Sequence, residues 1–158
     1  MMMPRLRTMP LLLAGALALP AIVASSPASA ACAVIGDSIA QDLRGFFRDC
    51  RFDVKIGIGT AAIAARVPGG ANVIVVSAGS NDYLTPGLPA RLQALRARAG
   101  AARVIWIRPV PPAAAVAVDT VAAAHGDAVV SFAVSQGDRQ RIHPQSSSAL
   151  AAEIRRHF

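Results

Sequence analysis

The sequence predicts an α/β domain: a single doubly wound, flavodoxin-like parallel sheet of five strands with helices on both faces. Two observations predict it. Five short apolar runs recur along the chain, and the segments between them carry apolar residues at helical spacing. One run, Val73-Ile74-Val75-Val76, is apolar at every position, as a strand buried on both faces must be. Alternation of this kind argues for a parallel sheet covered by its own crossover helices.

Each element has a local reason. Cys32-Ala33-Val34-Ile35 is a first strand, ending at Gly36. Ile39 to Asp49 places Ile39, Leu43, Phe46 and Phe47 on one helical face. Phe52 to Ile56 alternates with period two and reads as a second strand, ending at Gly57. Thr60 caps a short Ala-rich helix through Arg66, stopped by Pro68-Gly69-Gly70. Val73 to Val76 is the third strand, and Pro86 to Ala99 a helix with Leu88, Leu92 and Leu95 on its inner face, ended by Gly100. Val104 to Ile107 is the fourth strand, broken by Pro109 to Pro112. Ala113 to Ala124 is helical by composition, and His125-Gly126 closes it. Val129 to Phe132 is the fifth strand, and Pro144 to His157 the last helix, with Leu150 and Ile154 inward.

The first thirty residues lie outside this pattern. Arg5 and Arg7 precede an apolar stretch from Leu11 to Val23, and Ala28-Ser29-Ala30 offers a small-residue cleavage pattern. That is the form of a secretory signal peptide, cut after Ala30. The expected mature chain is 31–158, exported to the periplasm or secreted, without a stable membrane anchor. Loss of Arg5 and Arg7 takes the formal charge from +7 to +5. Basic runs interleaved with aromatics are missing from the sequence, so nucleic acid is not an expected partner. The remaining bias suits anionic glycans or an acidic envelope surface. A monomer is expected. An oxidising compartment also favours a disulfide between Cys32 and Cys50, which open neighbouring strands at one sheet edge. Scattered histidines and the lack of a CxxC argue against a metal site, and no cofactor is expected.

Three separated patches carry the chemistry: Gly36-Asp37-Ser38, Gly79-Ser80-Asn81-Asp82 and His143-Pro144. They supply a hydroxyl, an amide able to hold an oxyanion, and an imidazole able to take a proton. In a doubly wound sheet ligands bind at the carboxyl ends of the strands. Ser38 follows the first strand, Gly57 and Gly59 the second, Asn81 the third, and His143 the fifth, where it opens the last helix. All fall on one rim. Gly57-Ile58-Gly59 also invites a nucleotide-binding reading, but no GxGxxG completes a phosphate loop.

These blocks, Gly36-Asp37-Ser38-Ile39, Gly79-Ser80-Asn81-Asp82 and His143-Pro144, resemble blocks I, III and V of the SGNH hydrolases, the GDSL-like esterases and lipases. The resemblance spans Cys32 to Phe158 and implies a serine ester hydrolase. Ser38 is then the nucleophile and His143 the general base. The Ser38 N–H, the Asn81 amide and the N–H of Gly57 or Gly59 form the oxyanion hole, with Gly57 favoured because it directly ends the strand. Asp82 and Asp37 are expected to brace their loops. The small chain suggests small acyl or O-acetyl esters, such as those on envelope glycans.

One position departs from the family pattern. Its acid stands three residues before the histidine, where this chain has Gln140; Asp138 lies five before. Three arrangements are open. A bulged loop brings Asp138 to His143, Gln140 orients the imidazole through its amide oxygen, or the base is disabled. In the last case the alternative function is a non-catalytic ligand- or glycan-binding module on the same fold. Arg108 ends the fourth strand near the rim, where a salt bridge is its expected state. His125 and His157 are surface residues, and Ser146, Ser147 and Ser148 belong to the first turn of the last helix.

Overall fold

The computed structural model describes residues 31–158, so the expected signal segment 1–30 lies outside the described residues. The elements alternate as β1 (Cys32–Gly36), α1 (Ser38–Gln41), β2 (Arg51–Val54), α2 (Thr60–Ala64), β3 (Val73–Ser77), α3 (Leu88–Ala99), β4 (Arg103–Ile107), α4 (Pro112–His125), β5 (Ala128–Val130) and α5 (Ser147–Arg155). The five strands form one sheet in the order β2-β1-β3-β4-β5. Every pairing is parallel.

Period two within the strands sorts the core into two layers. Val34, Val75, Ile105 and Ile107 face one way, against Ile39 and Leu43 near α1 and Leu150 and Ile154 of α5. Ile35, Val76, Val104 and Trp106 face the other, against Ile63 of α2, Leu92 of α3 and Val118 of α4. Nearly all of these side chains are fully buried, each contributing about 1.5–3 kcal/mol. Alanines at 114, 117 and 122 let α4 sit close to the sheet. Among the described residues, no helix is long and apolar enough to cross a membrane.

Four expected elements differ. The second strand, expected over Phe52 to Ile56, runs Arg51–Val54, so Gly57 lies in the turn beyond it rather than directly ending it. The helix expected over Ile39 to Asp49 stops at Gln41, and the chain continues in tight turns. Leu43, Arg44 and Phe46 each donate to the carbonyl three residues back. Gly45 weakens the helical alternative, and the turns carry Cys50 back to the sheet edge. The fifth strand ends at Val130 rather than Phe132. The last helix starts at Ser147, not Pro144, because the Ser146 hydroxyl caps it by accepting from the Ala149 N–H at 3.1 Å.

Pro144 belongs instead to a short antiparallel bridge with Val134. The flanking bonds, Ser135 N–H to the His143 carbonyl and Gln145 N–H to the Ala133 carbonyl, leave 134 and 144 as a pair that exchanges no hydrogen bonds. A proline fits such a pair because its missing N–H is not needed.

Cys32 and Cys50 are joined in a disulfide, their Cα atoms 4.8 Å apart, pinning the α1 turns to β1. A loop of this length gives about 3 kcal/mol. The double variant Cys32→Ser/Cys50→Ser is therefore expected to melt about 10 °C below the wild type, measured by thermal circular dichroism under non-reducing conditions.

Candidate active site

The rim at the carboxyl ends of the strands begins with Gly36. Its φ is +143°, and a Cβ there would stand 2.4 Å from the Ser77 carbonyl oxygen on the neighbouring strand. Only glycine lets β1 turn out of the sheet at this point. Asp37 follows, fully buried, and caps α1 by accepting from the Ile39 N–H at 3.1 Å. Because Asp37 takes the cap, the Ser38 hydroxyl is left for other work.

That hydroxyl lies 3.0 Å from His143 Nε2. On the other side of the ring, His143 Nδ1 is 3.0 Å from Asp138 Oδ2. An ionised carboxylate only accepts, so Nδ1 carries the proton and Nε2 accepts from Ser38. The bridge at Val134 and Pro144 folds residues 133–145 back on themselves, which closes the five-residue gap between Asp138 and His143. Asp138 also accepts from the backbone N–H groups of Gln140 at 3.1 Å, Ile142 at 2.8 Å and His143 at 2.9 Å. Those N–H groups, led by His143 and then Ile142, hold its carboxyl well below the usual carboxylate range. Gln140 meets Asp138 through its backbone, and its side chain makes no hydrogen bond to the imidazole.

Asn81 sits across the rim. Its Nδ2 donates to Asp37 Oδ2 at 3.3 Å and to the Ile58 carbonyl at 3.1 Å. Both neighbours are acceptors, which fixes the orientation of the amide. Ser77 Oγ donates to Asp37 Oδ1 at 2.7 Å. Burial pushes the Asp37 carboxyl up, opposed by the Ser77 hydroxyl and the Ile39 N–H. Asp82 braces the next loop, accepting from the Thr60 N–H at 3.0 Å, the Thr60 hydroxyl at 2.9 Å and Arg91 at 3.2 Å. Thr60 is thus the first residue of α2, capped by Asp82 from another loop rather than capping the helix itself.

The two candidate glycines differ. A Cβ on Gly59 would meet the Asp82 carboxylate at 3.2 Å, so close packing explains that glycine. Gly57 has φ +74° with open space around it, so backbone conformation explains this one. Neither N–H donates a hydrogen bond among the described residues.

Arg108 is engaged by Asp119, with Nη2 2.8 Å from Oδ2, and is not free for a ligand. His125 meets Gln93 at 3.3 Å, far in sequence from these blocks. No three His, Cys, Asp or Glu side chains gather as a metal site among the described residues. Beside Asn81 opens a cleft of about 610 Å³, lined also by Ser80, Tyr83, Val110, Gln140 and Arg141. Sequence reading did not find this cleft or the Ser77 bond to Asp37. A polar Ser77 ending the most apolar strand was the available signal for the second. The cleft assembles loops 80–83, 110–112 and 140–142, and has no local signature.

Two outcomes follow from the opposite pKa directions. Asp138 is depressed, so its hold on the 138–143 loop is complete above the ordinary carboxylate pKa of about 3.9 and is lost only as pH falls through its own lower value. The carboxyl-carbon NMR signal of Asp138 is expected to show no protonation step as pH falls through the ordinary carboxylate range of about 3.9, and the Ile142 amide signal to move in Asp138→Asn. Asp37 is raised, so stability falls as pH climbs from the ordinary carboxylate range through its folded value. Asp37→Asn is expected to lose that slope in urea unfolding followed from acid to neutral pH.

No family model matches the chain, and no curated protein matches it in sequence. Solved structures do match. One is the C-terminal catalytic domain of peptidoglycan O-acetyltransferase A from Streptococcus pneumoniae, carrying a methylsulfonyl adduct. It is 12% identical with a TM-score of 0.54, over 80% of this chain and 87% of that one. Another is a G-D-S-L family protein from Desulfitobacterium hafniense, also 12% identical with a TM-score of 0.54, over 80% of this chain and 98% of that one. Together with the all-parallel 2-1-3-4-5 sheet, these matches give the chain the fold of the SGNH hydrolases, the GDSL-type esterases.

Proposed function

We propose that the protein is an exported serine ester hydrolase acting on small acyl or O-acetyl esters, including those of envelope glycans. One observation carries this reading: the unbroken hydrogen-bonded chain from Ser38 through His143 to Asp138, at 3.0 Å on each side of the ring. As Ser38 Oγ bonds to the ester carbonyl carbon, its proton passes to His143 Nε2. The oxyanion formed accepts from the Ser38 N–H, the Asn81 amide and the Gly57 N–H. Collapse breaks the carbon–alkoxide bond, and Nε2–H protonates the departing alcohol. Water then attacks the acyl-enzyme, yielding its proton to Nε2. The carboxylic acid leaves as Ser38 regains that proton. Asp138 keeps the imidazole in the right tautomer and stabilises its cation. A general base contributes about 100- to 10,000-fold, and each oxyanion donor about 100- to 1000-fold.

The likeness to an O-acetyltransferase catalytic domain favours a second reading, in which a sugar hydroxyl rather than water resolves the same acyl-enzyme. A non-catalytic module is disfavoured, because binding alone gives no reason for a serine, an imidazole and a carboxylate to be aligned in that order.

The test is labelling of the protein with a fluorophosphonate probe, beside turnover of p-nitrophenyl acetate with and without an acceptor sugar. The wild type is expected to label at Ser38, and Ser38→Ala and His143→Ala to lose both label and turnover. Asp138→Asn is expected to lower kcat about 1000- to 10,000-fold, and Gln140→Ala less than about tenfold. Acetylated sugar among the products would select transfer over hydrolysis. A wild type that takes no label sinks the enzyme reading.

A further inference from the structure

The cleft beside Asn81 has a charge pattern that catalysis does not use. Arg141 lines it and is exposed, and its guanidinium makes no ion pair or hydrogen bond among the described residues. Four arginines elsewhere in the domain are neutralised, Arg66 by Asp53, Arg91 by Asp82, Arg96 by Asp127 and Arg108 by Asp119, whereas Arg141 is the arginine that lines this cleft and is unpaired among the described residues. No carboxylate lines the cleft, so Arg141 gives it a net positive charge.

Arg141 is also held in place. Its φ is +52°, a left-handed conformation that non-glycine residues seldom adopt. The Arg141 N–H donates to the Asp138 carbonyl at 3.1 Å, and the next two N–H groups donate to the Asp138 carboxylate. The loop that orients His143 therefore also aims position 141. On the cleft floor, Ser80 is only 6% exposed and its hydroxyl has no partner. A buried hydroxyl left unsatisfied costs about 1–3 kcal/mol, which a ligand hydroxyl would offset. Tyr83, Val110 and Pro111 add a mixed, open wall, suited to the C–H faces of a sugar rather than to a buried lipid chain.

We propose that this cleft binds a carboxylate-bearing sugar, the alcohol part of the ester, with Arg141 pairing with the carboxylate and Ser80 meeting a ring hydroxyl. A single arginine matches a carboxylate, which has one charge and two oxygens for a bidentate fork; a phosphate monoester dianion asks for more donors. The proposal rests on the esterase reading for its link to catalysis, but its binding test does not require turnover.

The experiment uses Ser38→Ala protein and measures, by NMR titration, the affinity for mono-O-acetylated glucuronic acid, glucose and glucose 6-phosphate. The glucuronate ester is expected to bind about fivefold tighter than the glucose ester, and to shift signals of Ser80, Tyr83 and Arg141. In Ser38→Ala/Arg141→Gln the ratio of the two affinities is expected to fall to about one, and Arg141→Lys to restore part of it. Equal binding of glucuronate and glucose esters overturns the proposal, as does a preference that survives Arg141→Gln. Tighter binding of the glucose 6-phosphate ester overturns the carboxylate assignment. A fluorophosphonate label on wild-type protein alongside equal binding would leave the esterase standing and remove this inference alone.

Discussion

The buried carboxylate of Asp37 is the interaction on which the rim depends. It is fully buried and pairs with no arginine or lysine among the described residues, so hydrogen-bond donors do most to satisfy it, with a smaller electrostatic contribution from His143. Those donors come from different parts of the chain: the Ile39 N–H at the start of α1, the Ser77 hydroxyl at the end of β3, and the Asn81 amide in the loop beyond. An unsatisfied buried charge is far costlier than an unsatisfied neutral group, so each donor is under strong pressure to stay in place. Ser38 is adjacent to Asp37 in the chain, and Asn81 is bonded to it. Ser38 and the Asn81 amide are thereby referenced to one group. Gly36 makes this possible, since a Cβ there would collide with the Ser77 carbonyl and push the two strands apart.

The proton-handling half of the rim is built on a different principle. Asp138 is not buried among hydrophobic groups; it is the centre of a small backbone turn, accepting from three N–H groups and the imidazole. Its ionised state is stabilised by donors of its own loop. The loop in turn is closed by the Val134 and Pro144 pair, and Pro144 is buried. A carboxylate organised this way needs no fixed sequence offset from the histidine. What matters is the path of the chain between them, and a positive φ at Arg141 supplies the extra curvature for the longer separation.

These two halves explain what the sequence could and could not tell. Continuous apolar runs such as Val73 to Val76 declared their strands, and the rim position of Ser38, Asn81 and His143 followed from strand order. Side chains satisfied by local periodicity were legible for the same reason: Leu88, Leu92 and Leu95 pack as expected on α3. Elements decided by tertiary pairing were not. Phe132 continues an apolar run, yet the chain leaves the sheet after Val130 because the next residues pair with 143–145. Ile39 to Phe47 keeps a helical pattern, but the disulfide from Cys50 to Cys32 and Gly45 favour turns that bury the same residues in less length. The Asp138 contact was one of three open arrangements because a five-residue offset has no periodic signature, and the antiparallel bridge that closes it involves a proline.

Asn81 shows how the halves must act together. Both hydrogens of its amide are engaged, one by Asp37 and one by the Ile58 carbonyl. In the proposed reaction an oxyanion at the rim would therefore compete for a hydrogen already in use. The Asp37 acceptor is a buried carboxyl, costly to leave without a donor, whereas the bond to the Ile58 carbonyl lies at an exposed position where water replaces a lost donor. The hydrogen that yields is thus the one on Ile58, while Asp37 continues to hold the amide in place. Ile58 lies between Gly57 and Gly59, so loss of its bond to Asn81 loosens the same loop that carries the proposed backbone donor. In the proposed reaction, oxyanion formation would recruit the side-chain amide and leave the Gly57 segment freer to turn its N–H inward. Before that moment the bond from Asn81 to Ile58 keeps the rim ordered without spending the amide on a substrate carbonyl, which is the condition for binding the transition state better than the ground state.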